Sequence, residues 1–233
     1  MSIDLICIDA DDTLWHNMRH FEATEAALLA LLRPFAEANI ARERLYTTEA
    51  RNLKLYGYGA KGFTLSMIET ALELGGEQLP AKVVADVLEA GRALLAHPVE
   101  LFADIENTLA ALAQRGRLVL VTKGDLLHQE SKLAASGLGD FFSGIEIVSE
   151  KTAGTYHSLF SRYQVPPHRC IMAGDSMRSD ILPALEAGAW AAFVPHSLVW
   201  HLERANAPAE HQRFRQLTSL AELPGWIDAL PPD

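Results

Sequence analysis

Leu5-Ile6-Cys7-Ile8-Asp9-Ala10-Asp11-Asp12-Thr13-Leu14 is the stretch that decides how this chain is read. Four apolar residues in a row followed by acids match a buried parallel strand that ends in a site. In open parallel sheets, ligands collect at the carboxyl ends of the strands. Asp9 and Asp11 lie two apart, so in an extended continuation their side chains project to the same side. One carboxylate can act as a nucleophile and split a hard phosphoryl displacement into two easier steps. The other can protonate the leaving alkoxide and then deprotonate the attacking water. A pair of solvated turn acids, or a helix cap, is the plainer reading of the same residues.

Three further stations follow apolar runs in the same manner. Thr122-Lys123-Gly124 closes Leu118-Val119-Leu120-Val121, and its hydroxyl and loop N–H groups suit phosphate oxygens, making Lys123 and Gly124 candidates for substrate binding. Gly124 allows close backbone approach. Lys151 stands where a cation would neutralise charge between nucleophile and phosphate. Gly174-Asp175-Ser176, with Asp180 beyond, closes Cys170-Ile171-Met172-Ala173. Magnesium takes oxygen ligands, a few carboxylates with water and substrate completing an octahedron, and Asp9, Asp175 and Asp180 supply such a set. Taken singly, Thr122 and the two later aspartates are also good caps, and most lysines are solvated.

Outward from these stations the pattern is regular. Helical periodicity over Asn107 to Gln114, Leu126 to Ala135, Thr152 to Tyr163 and Ser179 to Ala187 alternates with strands at 118–121, 145–148, 170–173 and 191–194. Strands alternating with helices predict an α/β fold with a parallel sheet covered on both faces. Pro183 is tolerable near a helix start, and Gly188 marks that helix's end. Between Phe21 and Leu95 no strand signal appears and apolar stripes recur at helical spacing, so this stretch predicts a helical insertion. Residues 197–216 show no clear period. Thr218-Ser219-Leu220-Ala221-Glu222 offers a capping-box start for a last short helix, before the Pro231-Pro232-Asp233 tail.

The 233 residues suffice for a large domain plus an insertion, and 49% hydrophobic residues is ordinary for a protein with a real core. A formal charge of −10 disfavours nucleic acid, whose phosphates it would repel. A small anionic substrate is still compatible, because local cations and a metal outweigh a distant net charge. No apolar run approaches the roughly 18 to 20 residues of a membrane span, and with neither a basic n-region nor a long apolar h-region at the N-terminus no secretion signal is expected. A cytoplasmic protein without a membrane partner is expected, and oligomeric state is not legible. Cys7 and Cys170 sit in apolar runs and read as buried core thiols.

In combination the stations are far more specific than apart. The chain strongly resembles the haloacid dehalogenase-like (HAD) hydrolase superfamily: Asp9, Asp11, Thr13 and Leu14 match its Asp-x-Asp-x-Thr-Leu motif. Thr122 matches the second motif, Lys151 the third, and Gly174, Asp175 and Asp180 the fourth. The resemblance covers essentially the whole chain. It implies a Rossmann-like three-layer core over 1–15 and 99–233, with a helical C1-type cap over 16–98. It also implies Asp9 as nucleophile and Asp11 as general acid/base. Magnesium would be held by the Asp9 side chain, the Asp11 carbonyl, Asp175 and Asp180. An aspartate at position 11 resembles the family's phosphatases and phosphomutases and disfavours dehalogenase and phosphonate-hydrolase activities.

The expectation is therefore a magnesium-dependent phosphatase acting on a small phosphorylated metabolite. Its rivals are a sugar-phosphate mutase, a phospho-accepting receiver and a catalytically quiet binding module. The length of the insertion and the position of Asp175 and Asp180 after Lys151 argue against the receiver. Many members carry Gly at position 12; Asp12 tolerates left-handed backbone better than most residues and is a candidate substrate contact. Gly57-Tyr58-Gly59-Ala60-Lys61-Gly62 satisfies a dinucleotide pattern, but helix precedes it instead of strand. It reads as an interhelical turn of the cap, with Tyr58 and Lys61 as candidate specificity residues by resemblance to related caps. His16 and His20, four apart, lack further ligands at metal spacing.

Overall fold

The structure, a computed structural model, describes residues 2–231; Met1 and the Pro232-Asp233 end of the tail lie outside it. The described residues divide into two compact units. The first comprises residues up to His16, Val99–Lys123 and everything from Glu130 onward. The second comprises Asn17–Pro98 together with Gly124–Gln129.

In the first unit, six parallel strands form one sheet: β1 (Leu5–Ile8), β2 (Arg117–Lys123), β3 (Gly144–Val148), β4 (Cys170–Gly174), β5 (Trp190–Phe193) and β6 (Phe214–Gln216). Their order is β3-β2-β1-β4-β5-β6, and Ile8 of β1 is in register with Leu120 of β2 and Ala173 of β4. Period-two alternation sends β1 to both faces. Ile6 and Ile8 pack into a core with Leu109 of α5 (Ile105–Ala113), Leu133 of α6 (Leu126–Ser136) and Trp226 of α9 (Leu223–Asp228). Leu5 and Cys7 pack into the other core with Tyr156 and Phe160 of α7 (Ala153–Tyr163) and Ala184 of α8 (Leu182–Glu186). This is the three-layer Rossmann-like arrangement.

After β1 the chain builds β2 and β3 to one side, then crosses to build β4, β5 and β6 on the other. The carboxyl ends of β1 and β4 therefore flank a switch point, where diverging connections leave a crevice. Helix entry there departs from the expected regular start at Ser179. Met177–Ile181 winds as a π turn, the Ser176 carbonyl accepting from both Asp180 N–H (2.9 Å) and Ile181 N–H (3.2 Å), and α8 follows with Pro183 in its first turn. Thr152 caps α7, its hydroxyl accepting from Thr155 N–H. At the last helix, Glu222 reaches back to Thr218, accepting from its N–H and its hydroxyl, one residue earlier than a Ser219 capping box would have it.

The second unit holds α1 (Met18–Leu32), α2 (Ala38–Tyr56), α3 (Ala60–Gly75) and α4 (Ala81–Leu95) around its own core of Leu28, Leu32, Leu45, Met67 and Val87. Gly57–Gly59 is a helix-to-helix turn, and Ala60–Gly62 opens α3. Gly57 ends α2 at φ 71°, donating its N–H to Leu53, and Gly59 precedes α3 at φ 102°. No helix among the described residues is long and apolar enough to cross a membrane.

Candidate active site

Asp9 leaves β1 with its N–H bonded to the Ala173 carbonyl of β4 at 2.9 Å, so the backbone ladder carries this aspartate into the switch-point crevice. Its carboxylate is buried, and Oδ1 accepts from Lys151 Nζ at 2.5 Å. The same ammonium donates to Asp180 Oδ1 at 2.6 Å. Asp180 Oδ2 in turn accepts from Ser176 N–H at 3.0 Å. Thr13 joins the first and fourth stations: its hydroxyl donates to Asp9 Oδ2 at 3.5 Å and accepts from Asp175 N–H at 3.1 Å. Asp9, Asp175 and Asp180 each present a carboxylate oxygen within 4.8 Å of the others.

Glycine at 174 is a steric necessity. A Cβ there would stand 2.2 Å from Asp180 Oδ2, so any side chain displaces that carboxylate. Asp12 adopts the left-handed conformation expected of it, φ 59°, and its Oδ1 lies 3.8 Å from His196 Nδ1. Thr122 is buried at the end of β2, two residues past Leu120, the register partner of Ile8.

The electrostatics follow from crowding acids out of water. Burial pushes the Asp9 carboxyl up to about 7; Lys151 pulls it down, while Asp180 and Asp11 push it further up. Burial likewise holds Asp175 well above the ordinary carboxylate range, reinforced by Asp9, Asp180 and Asp12. Burial alone would lower the Lys151 ammonium, but the carboxylates of Asp180 and Asp9 overcome it and hold it above its usual value. Several hard oxygen donors, crowded and short of positive charge, are the environment a divalent cation completes. The residues present fit magnesium.

Three participants escaped the sequence reading. Lys132 of α6, 5% exposed, donates to both Asp11 oxygens at 2.6 and 2.7 Å. The fully buried Trp15 also donates its indole N–H to Asp11 Oδ1 at 2.7 Å. Glu203, from the unassigned 197–216 segment, accepts from Lys123 Nζ at 2.6 Å and from the hydroxyls of Ser176 and Ser179. Burial works to raise Glu203, yet Lys123 and the two hydroxyls outweigh it and leave it below its usual value. The Lys123 ammonium also donates to Ser179 Oγ at 2.7 Å, so it braces the fourth-station turn. A faint signal existed for Lys132: it shares an inward helix stripe with Gln129 and Leu133.

Gly124, at φ 137°, Tyr58 and Lys61 belong to the second unit. There Lys61 Nζ donates to Asp125 Oδ1 at 2.9 Å. His16 and His20 do not share a site: His16 packs on Phe102 at 4.1 Å between centroids, and His20 stacks on His97 at 3.9 Å. Both cysteines are buried free thiols; burial raises Cys7 well above its usual value and pushes Cys170 up to about 12.

Comparison with known proteins agrees with this architecture. The structure resembles that of a haloacid dehalogenase-like family hydrolase from Xanthomonas campestris, with TM-score 0.88 and 40% identity over 98% of this chain and 91% of that one. A HAD-hydrolase from Bacillus subtilis shares the fold at TM-score 0.67 and 20% identity, over 98% of this chain and 100% of the other. N-acylneuraminate-9-phosphatase from Mus musculus is 26% identical over 134 residues, 54% of this chain and 52% of its own length. The chain thus spans about half the length of the curated relatives it matches. The family model described as haloacid dehalogenase-like hydrolase matches residues 3–188, four-fifths of the sequence and every station of the site. With sequence, fold and site converging, the chain belongs to the haloacid dehalogenase-like hydrolase family.

Proposed function

We propose that this chain is a magnesium-dependent phosphomonoester hydrolase acting on a small phosphorylated metabolite through an aspartyl-phosphate on Asp9. The observation that carries this reading is the buried cluster in which Lys151 bridges Asp9 and Asp180 while Asp175 closes the acidic set. The resemblance to N-acylneuraminate-9-phosphatases supports phosphate-ester hydrolysis over the family's other chemistries. Asp9, Asp175, Asp180 and the Asp11 carbonyl would hold magnesium, which supplies positive charge for the phosphoryl oxygens; the fold's Bacillus subtilis representative is described as bound to magnesium.

The protein's own groups divide the work. A carboxylate oxygen of Asp9 forms a bond to phosphorus as the ester P–O bond breaks, and Asp11 gives its proton to the departing alkoxide. Water then attacks the same phosphorus, Asp11 takes back a proton, and the Asp9–phosphorus bond breaks to release inorganic phosphate. Lys151 keeps Asp9 in place and adds charge where the transferring group is most negative. Thr122 with the backbone of Lys123 and Gly124 receives phosphate oxygens, and Asp12, Tyr58 and Lys61 act in substrate selection. The 16–98 insertion serves as the cap.

The test is phosphate release from a panel of phosphate esters with magnesium, run beside Asp9→Asn. The wild type should release phosphate continuously, and Asp9→Asn should be slower by at least about a thousandfold. Equal rates for the two proteins would remove Asp9 as nucleophile. Transfer between positions of a bound sugar without free phosphate would identify a mutase instead, and a phosphorylated Asp9 persisting for minutes a receiver.

A further inference from the structure

We infer that Lys132 is a positioning residue for proton transfer by Asp11, a role resting on the acid/base assignment just proposed. Asp11 is the one acid of the site whose carboxylate must change partners during the reaction, first giving a proton and then taking one. A carboxylate on a short side chain rotates freely unless both oxygens are held. Here they are. The Lys132 ammonium reaches Oδ1 and Oδ2 at 2.6 and 2.7 Å, and the Trp15 indole N–H adds a third contact to Oδ1 at 2.7 Å.

The two donors come from rigid, separately anchored places. Lys132 lies in α6, next to Leu133 of the sheet core, and its side chain is 5% exposed. Trp15 is fully buried and clamped in backbone bridges to Asp11 and Leu101. Burying an ammonium is costly unless it is paired, so a lysine on the inward stripe of a helix is held there by its partner. A purely structural partner for this lysine need not have been the second acid of the Asp-x-Asp pair. The ammonium favours the carboxylate form of Asp11, so one oxygen leaves Lys132 to carry the proton donated to the leaving group, while the contacts to the other oxygen fix the angle of the carboxyl and remove reorganisation from the proton-transfer step.

The consequence is selective, and so is its test. Protonating a leaving group matters for an alkoxide and hardly at all for p-nitrophenolate. kcat/KM reports the steps through phosphoryl transfer, so it isolates the donation step from the later attack of water. We would measure kcat/KM for p-nitrophenyl phosphate and for the alkyl phosphate turned over fastest in a panel of polyol and sugar phosphates, with thermal unfolding as the fold control. In Lys132→Met, the ratio of the alkyl to the aryl value should fall by about 10- to 100-fold, part of the effect of general acid catalysis. Asp11→Asn should show the same direction more strongly, and Lys132→Arg should recover part of the ratio. If Lys132→Met does not fold, Trp15→Phe and Lys132→Gln read the same ratio through the remaining contacts.

Equal losses on both esters in a folded variant would overturn the positioning role. If Asp11→Asn also left the ratio unchanged, the acid/base assignment itself would fall. A fully active Asp9→Asn would instead remove the aspartyl-phosphate reading.

Discussion

The two units place their ion pairs differently. In the sheet unit, beside surface pairs such as Arg115 with Asp228, a set of charged side chains is pulled inward and paired: Lys151 with Asp9 and Asp180, Lys132 with Asp11, Lys123 with Glu203. In the helical unit the core is apolar, with Thr48, Glu49 and Asn52 of α2 buried beside it, and ion pairs such as Arg51 with Glu69 and Glu73, Arg42 with Glu25, and Lys82 with Asp86 lie at the surface. Burying charge costs several kcal/mol per ion and is repaid only by close partners. A surface pair costs little and returns little. The contrast marks out the candidate site: the costly ion pairs cluster at the carboxyl ends of β1, β2 and β4, and the inexpensive ones decorate the helical unit.

The comparison breaks first at Glu203. Glu203→Gln leaves the buried Lys123 ammonium without its carboxylate, and unfolding in urea should show a loss of about 2 to 3 kcal/mol, the low side of the range for buried pairs because both groups keep some solvent. A loss below about 0.5 kcal/mol would erase the distinction between the two units.

A second test sharpens the electrostatics of the acidic cluster. The folded Asp9 pKa of about 7 lies above its ordinary value of 3.8, so Asp9 favours the fold while protonated, below about pH 4. That contribution is lost as pH rises through about 7, and Asp175 shifts in the same direction. In chelator, Tm should therefore fall across this window. Magnesium competes with protons for these oxygens, so saturating magnesium chloride should raise Tm more at pH 8 than at pH 5. In a chain of this size each kcal/mol of binding linkage is worth about 2 to 4 °C. An identical gain at both pH values would count against carboxylate ligands.

The smallest effect belongs to the surface of the helical unit. Lys82→Ala deletes an exposed i,i+4 pair with Asp86 and should cost no more than about 0.5 kcal/mol in the same urea experiment. A larger loss would mean that the helical unit, too, relies on its charges.

Legibility in the sequence follows the same division. β1, β2 and β4 were readable because fully buried parallel strands are continuous apolar runs, and the acids at their ends stood out against them. β6 was not: it is a three-residue edge strand in which Phe214 is half-buried while Arg215 and Gln216 are exposed. Helix α2 showed little apolar stripe because it buries Thr48, Glu49 and Asn52 beside Ala41 and Leu45. The motif acids announced themselves through spacing, whereas Lys132 and Glu203 depend on what the fold brings beside them. A lysine on a helix and a glutamate in a segment without period look like surface residues until tertiary structure supplies Asp11 and Lys123.

The wide turn at Met177–Ile181 carries a consequence for how this protein tolerates change. With one residue more per loop of helix than regular winding, it sets the angular phase at which Asp180 meets Lys151 while Leu182 onward still packs beneath the sheet. Removing a single residue between Ser176 and Leu182 would restore ordinary winding and swing one of those two sets by about 100°. Length here is therefore constrained, as it is not in connections that hold no such clock.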